Sequence, residues 1–130
     1  MSRIVLDASA LLALLNNEPG ADKLTPELLS DATCSTVNLA EVQSKLVSIG
    51  GDPDEAWEDT LSTIREAAPF TEEHARFAGS VIAQTHALGL SLSLGDRACL
   101  ALGIALKAPV YTADKSWKKL KLGVSIHVIR

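Results

Sequence analysis

Residues 93–114 of this 130-residue chain, SLGDRACLALGIALKAPVYTAD, predict the architecture around them. Ser93 to Leu106 carries apolar residues on nearly every side, which is typical of a helix buried inside a protein. Pro109 to Thr112 follows as a short apolar strand, and Asp114 comes directly after it. A buried helix that leads into a strand indicates an α/β protein, in which helices cover a sheet.

The same alternation of strand and helix continues on both sides of this stretch. Further strands are predicted at residues 3–6, 32–37, 65–70 and 124–129, and helices at 8–15, 38–50, 52–64, from Thr71 onwards, and at 115–120. The sequence therefore predicts one α/β domain over residues 1–130. Its sheet would be largely parallel, with about five strands and helices on both faces.

Composition and charge narrow the class of protein. Sixteen acidic residues against 12 Lys and Arg give a net charge of −4, which argues against binding nucleic acid by bulk charge alone. The uncharged run from Ala98 to Leu106 is far shorter than the roughly 20 apolar residues of a membrane span. Because Asp7 interrupts the N-terminal apolar run, no secretory signal is expected, and we predict a cytoplasmic protein that does not contact membranes.

Four carboxylates occupy equivalent positions, each just after a strand or at the start of the next helix: Asp7, Glu41, Asp96 and Asp114. Each has a purely structural explanation, because helix N-termini favour carboxylates. Asp7 and Asp114 fit N-caps, whereas Asn38-x-x-Glu41 and Ser93-x-x-Asp96 resemble capping boxes. In a parallel sheet, however, all these junctions lie along one edge, where α/β folds place their sites.

Convergence of these carboxylates would have an electrostatic cost that a cation relieves. The helix after Asp96 descends about 16 Å and the next strand climbs back, so Asp114 is expected to return to the level of Asp96. Two ionised carboxylates about 5 Å apart repel by roughly 3 kcal/mol at an effective dielectric near 20. An all-oxygen pocket suits Mg²⁺ or Mn²⁺, which bind phosphate oxygens, and so points to phosphoryl transfer.

Four segments, in order along the chain, resemble the motifs of PIN-domain nucleases. They are VLDASALLA from Val5, NLAEV from Asn38, LSLGDRA from Leu92 and YTADKSW from Tyr111. Within that family, the length and the last two motifs are most similar to VapC-type toxins of type II toxin-antitoxin pairs. One departure follows Asp114, where Lys115 and Ser116 stand at positions at which many members have a further acidic residue or Asn.

The resemblance implies a metal-dependent endoribonuclease that hydrolyses an RNA phosphodiester with a metal-activated water. Asp7, Glu41, Asp96 and Asp114 would be the catalytic carboxylates and would hold one or two Mg²⁺ or Mn²⁺ ions, with Glu41 either binding metal or orienting the water. It also implies a homodimer that a cognate antitoxin neutralises. The alternative is a PIN-like module without catalysis that only binds RNA or a protein partner.

Other polar residues near these motifs have two interpretations each. Ser9 and Thr112 are expected to hydrogen-bond to the metal ligands, or simply to cap local structure. The cations next to the acidic motifs, namely Arg97, Lys115, Lys118 and Lys119, are predicted to bind RNA phosphates, or else to form a solvated face. Trp117 is expected to anchor its helix in the core.

Overall fold

In the computed structural model, which describes residues 2–130, five parallel strands form one sheet with helices on both faces. The strands are β1 (Ile4–Leu6), β2 (Ala32–Ser35), β3 (Glu66–Ala68), β4 (Val110–Thr112) and β5 (Ile126–Val128). Their order is β3-β2-β1-β4-β5, and every neighbouring pair is parallel. The predicted fold class is confirmed. Met1, which the predicted domain 1–130 includes, lies outside the described residues.

Seven α-helices connect the strands in the described chain. They are α1 (Ala8–Leu15), α2 (Pro26–Leu29), α3 (Thr36–Ser48), α4 (Pro53–Ser62), α5 (Glu72–Ser80), α6 (Ile82–Ala87) and α7 (Leu94–Leu106). Two 3₁₀ helices, Ala21–Lys23 and Lys115–Lys119, complete the connections. Within residues 2–130, no helix has the length and apolar character needed to span a membrane.

The two faces of β1 bury separate apolar clusters, as the alternation of side chains along a strand requires. Leu6 packs with Leu11 on the face covered by α1 and α3, whereas Val5 packs with Leu100 of α7 on the other face. Trp117 joins the second cluster and is fully buried, so the prediction of a core anchor is confirmed. The sheet is therefore held rigidly from both sides beneath its carboxyl edge.

The start of α3 differs from the prediction in a way that changes the site. The helix begins at Thr36, two residues early, because Ser35 caps it by accepting a hydrogen bond from Val37 N. The predicted Asn38-x-x-Glu41 capping box is therefore wrong. Asn38 and Glu41 lie inside the helix, where their side chains are available for tertiary contacts. The Ser93-x-x-Asp96 capping box, by contrast, is confirmed at the start of α7.

Smaller differences concern short elements. The sequence interpretation missed α2, although Thr25 followed by Pro26 is a standard start signal: Thr25 caps the helix and Pro26 opens it. The helix predicted from Thr71 is interrupted at Val81 and continues as α6. The predicted helix at 115–120 is instead the 3₁₀ helix Lys115–Lys119, a form that is common in short connections.

Candidate active site

The strand order reverses between β1 and β4, and α/β folds place their sites at such a switch point on the carboxyl edge of the sheet. Asp7 follows β1 directly and caps α1, and Asp114 follows β4 and caps the 3₁₀ helix. Asp7 N donates to Tyr111 O at 3.1 Å, which ties the ends of the two strands together. Two of the four predicted carboxylates thus lie on neighbouring strand ends.

The Asp7 carboxylate is buried, with 3% of the residue exposed, and is surrounded by donors. Its Oδ1 accepts hydrogen bonds from Ala10 N and Ser9 Oγ at 2.8 Å each, and its Oδ2 accepts from Thr112 Oγ1 at 2.6 Å. Burial, with a smaller contribution from the charge of Asp96, nevertheless raises the pKa of Asp7 to about 6 against the lowering effect of these bonds. A carboxyl group perturbed in this way marks a candidate functional site.

Ser9 and Thr112 connect Asp7 to the loop that carries Asp114. Thr112 Oγ1 accepts from Asp114 N at 3.1 Å while it donates to Asp7. Ser9 Oγ accepts from Ala113 N at 2.9 Å and lies 3.3 Å from Thr112 Oγ1. The two hydroxyls therefore set the position of both carboxylate-bearing segments.

Asp96 lies in the first turn of α7, and Glu41 approaches that turn from α3. Asp96 accepts from Ser93 N at 3.1 Å in the capping box and is half-buried. Glu41 accepts from Asn38 Nδ2 at 2.8 Å, and its carboxylate lies against Gly95. After burial, the charges of Asp7, Asp96 and Glu41 all contribute to raising the pKa of the Cys99 thiol. All three carboxylates are therefore close enough to Cys99 for their charge to act on it.

Asp114 is the exposed member of the predicted set. Its Oδ1 accepts from Ser116 N at 2.9 Å and from Ser116 Oγ at 2.7 Å, within its own 3₁₀ helix. The local reason for an acidic residue here, capping, is thus present in the structure. Its backbone is fixed by Thr112, so the side chain stands at the outer rim of the Asp7 region.

The donor chemistry of the site fits a hard divalent cation. Within residues 2–130, no three His, Cys, Asp or Glu side chains are grouped closely enough to hold a metal ion. Mg²⁺, however, usually takes one or two carboxylates and keeps several waters. Asp7 and Asp96 provide such an all-oxygen pair, with a buried carboxylate whose ionisation a cation would favour.

The basic side chains predicted to bind RNA lie in two separate places. Lys115, Lys118 and Lys119 are exposed on the 3₁₀ helix, and the ion pairs of the described chain do not involve them. Arg97 instead turns towards α5, where its Nη1 donates to Ala78 O at 2.9 Å. Adjacent positions on a helix point about 100° apart, so being next to Asp96 in sequence does not bring Arg97 to the lysines.

A groove of about 760 Å³ beside Glu41 was missed by the sequence analysis. Its apolar lining comes from Ala8 and Leu12 of α1 and from Val37 and Ala40 of α3. Ala8 and Leu12 are four positions apart, and Val37 and Ala40 are three apart. Such pairs lie on one face of a helix, so the spacing could have indicated the groove. Asn38 and Gly95, which contact Glu41, were also missed, because their partners are known only from the fold.

Comparison with known proteins places this fold in a family. The profile of the PIN domain matches residues 4–122, a span that contains all four carboxylates. The chain belongs to the PIN-domain family. A comparison with curated proteins found no match.

Solved structures show that this PIN domain has the same fold as chains of VapBC complexes. DNA-bound VapBC from Salmonella typhimurium matches with a TM-score of 0.78 at 15% identity, over 100% of both chains. VapBC2 from Rickettsia felis, bound to a DNA fragment from its promoter, matches at 0.77 and 19% over 98% of both. VapC20 from Mycobacterium tuberculosis, a toxin that cleaves the sarcin-ricin loop, matches at 0.74 and 20% over 88% of this chain and 92% of that one.

Proposed function

We propose that this PIN domain is a metal-dependent endoribonuclease that acts as the toxin of a toxin-antitoxin pair. The observation that carries the proposal is the buried Asp7 at the switch point, held by two hydroxyls and facing the charge of Asp96. A buried carboxyl group beside other carboxylates is suited to binding a cation. A structural relative, VapC20, is a toxin that cleaves RNA in the sarcin-ricin loop.

Each residue of the acidic site has a proposed role in this reaction. Asp7 and Asp96 would hold Mg²⁺ or Mn²⁺, with Asp114 at the rim and Glu41 either binding the ion or orienting the water. Ser9 and Thr112 keep the Asp7 oxygens in place by donating to them. The bound ion would supply phosphate polarisation and a water of lowered pKa for in-line attack.

RNA would approach over the exposed lysines next to Asp114. Lys115, Lys118 and Lys119 project from the 3₁₀ helix that Asp114 caps, so their charge lies beside the proposed cleavage position. The net charge of −4 does not argue against RNA binding here, because the excess of acidic over basic residues equals the four site carboxylates. With a cation bound, this side of the molecule would attract a polyanion. Arg97 would support α7 through Ala78 and not contact RNA.

The proposal includes an antitoxin partner and a homodimer. Several structural relatives are VapBC or other toxin-antitoxin complexes, and three of the matched structures contain DNA. A cognate antitoxin would neutralise this chain by covering the acidic site. Co-expression with the protein encoded next to it should suppress the growth defect that the chain alone causes.

Cleavage assays on mixed RNA and DNA test the activity directly. RNA should be cut only with Mg²⁺ or Mn²⁺, leaving a 5′-phosphate and a 3′-hydroxyl, because water is the nucleophile. Cleavage that survives EDTA, or that leaves a 2′,3′-cyclic phosphate, would contradict the metal-water chemistry.

The second candidate, a silent PIN-like binding module, is favoured by one observation. No three acidic side chains in the described residues are gathered around one point. A module of this kind would bind RNA or protein and cut neither nucleic acid with any divalent ion. The same assay therefore separates the two functions.

A further inference from the structure

The side-chain amide of Asn38 joins two parts of the acidic site. Asn38 is 1% exposed, and its Nδ2 donates to Glu41 Oε1 at 2.8 Å and to Gly95 O at 2.9 Å. Both partners are acceptors, so the amide must point its nitrogen at them. One polar atom thus links Glu41 of α3 to the first turn of α7.

The other end of this amide shows that the arrangement is not the one of greatest stability. Asn38 Oδ1 is buried and has no hydrogen-bond partner among the described residues. An unsatisfied buried acceptor is unfavourable, and an apolar residue of similar size would avoid it. Filling space does not explain an amide at this position. The two hydrogen bonds donated by its Nδ2 indicate that it holds Glu41 in place.

Gly95 makes room for the same carboxylate. A Cβ at Gly95 would overlap the Glu41 carboxylate atoms, so any larger residue would displace that group. Gly95 does not have a positive φ, so the glycine is required for space and not for backbone conformation. Because Gly95 lies in the first turn of α7, the positive end of the helix dipole also favours the carboxylate there.

We propose that Asn38 and Gly95 are positioning residues, which hold the Glu41 carboxylate against the first turn of α7 beside Asp96. Without them, the flexible Glu41 side chain would be free to turn towards the neighbouring groove or solvent. The catalytic consequence of this arrangement rests on the proposed nuclease function. The arrangement itself does not, so the two are tested by separate measurements.

NMR of the Asn38 side-chain amide tests the arrangement in the free protein. Gly95→Ala and Glu41→Ala should each shift one Asn38 amide proton and speed its exchange with solvent, because each removes the Glu41 acceptor. In the Glu41→Ala background, Gly95→Ala should cause no further change. Gly79→Ala is the matched control, since this exposed helical glycine on α5 has nothing within 4 Å of an added Cβ. Additive effects of Gly95→Ala and Glu41→Ala would overturn the proposal.

Metal binding and kinetics test the consequence. Asn38→Leu should lower kcat, or the Mn²⁺ affinity measured without RNA, by about ten- to a hundredfold. Gly95→Ala is a second variant with the same expected effect, because its added Cβ displaces only the end of the flexible Glu41 side chain. KM for RNA should stay unchanged, and neither change should reduce Mn²⁺ affinity further in the Glu41→Ala background. Gln43→Leu is the control on the same helix, because its amide donates to Pro53 O at 3.1 Å away from the site.

The outcomes distinguish the two proposals. If the unaltered protein cuts no RNA, the nuclease function fails, while the NMR comparison still decides whether Asn38 and Gly95 hold Glu41. If it does cut RNA and both variants match it in kcat and Mn²⁺ affinity, the positioning role is wrong.

Discussion

The acidic site has an inner half around Asp7 and an outer half around Asp114, which differ in burial and in their hydrogen-bond partners. In the inner half, Asp7 is almost fully buried and its oxygens accept bonds from Ser9, Thr112 and Ala10. In the outer half, Asp114 is exposed and, among the described residues, its side chain accepts hydrogen bonds only from Ser116 of its own short helix, next to exposed lysines. The inner half is thus held in one geometry by packing and hydrogen bonds, whereas the outer half is exposed to solvent.

Replacing the inner carboxylate should have the largest effect on activity. Asp7→Asn is expected to lower kcat on the order of a thousandfold, the loss expected when metal assistance worth several kcal/mol is removed. Asp114→Asn should lower kcat clearly less, because that residue is exposed at the rim. Cleavage rates for both, with exposed Asp22→Asn as control, measure the contrast. Equal losses for the two site variants would remove the distinction between the halves.

The buried Asp7 of the inner half should also make the stability of the fold depend on pH. The pKa of Asp7 is about 6 in the folded protein against 3.8 as its ordinary value, so the fold favours the protonated form. That stabilisation is complete below about pH 3.8 and is lost as the pH rises through 6. From these values, the free energy of unfolding of Asp7→Asn, relative to that of the unaltered protein, should increase by about 3 kcal/mol between pH 3.5 and pH 8.

Urea unfolding of both proteins at several pH values measures this difference. Saturating Mg²⁺ should reduce it, because a bound cation favours the ionised carboxylate. A difference in unfolding free energy that stays constant from pH 3.5 to pH 8 would show that Asp7 is not perturbed by burial.

The two hydroxyls should matter less than the carboxylate that they hold. Ser9→Ala and Thr112→Val each remove a donor to Asp7, so its pKa should rise and kcat at pH 7 should fall about ten- to a hundredfold. Raising the pH should recover part of the lost rate. Thr63→Val, whose hydroxyl donates to Thr60 O in α4, is a control for loss of a hydroxyl elsewhere. A loss that is independent of pH would indicate a role other than keeping Asp7 ionised.

The outer half should show the smallest effect, and on binding alone. Lys118→Ala with Lys119→Ala should raise KM for RNA a few-fold and lower the salt-dependence slope by about 1.4 if both contact a single strand. Neither kcat nor the cleavage position should change. Lys23→Ala with Lys107→Ala, two exposed lysines elsewhere, is the matched control. A fall in kcat without a change in salt dependence would place these lysines in catalysis instead.

Features that depend on nearby residues were predictable. The bounds of α1 at Ala8–Leu15 match the prediction, because a cap and four leucines at helical spacing determine them within one short stretch. The capping box of Ser93 and Asp96 was recognisable for the same reason. The start of α3 was not, since Ser35 and Asn38 both suit a cap and burial of the following residues selects between them.

Contacts between distant positions account for what was missed. Thr112 bonds to Asp7 across 105 positions, and Asn38 bonds to Gly95 across 57. The hydrogen bond from Arg97 to Ala78 O likewise depends on the packing of α7 on α5, whereas its predicted role in binding RNA stays a prediction. No local pattern carries this information, because the direction of a side chain depends on which element packs against it.

The sequence alone determined the alternation of strands and helices, the carboxylates at their junctions and the resemblance to PIN nucleases, because periodicity, caps and ordered motifs are properties of short segments. Only the tertiary structure decided that β1 lies beside β4, that Asp7 is buried while Asp114 is exposed, and that Glu41 rests on Gly95. The physical reason is that burial and hydrogen-bond partners arise from packing between segments far apart in the chain. Burial raises the pKa of Asp7 against the effect of its hydrogen bonds, and the difference in burial distinguishes the two halves of the site.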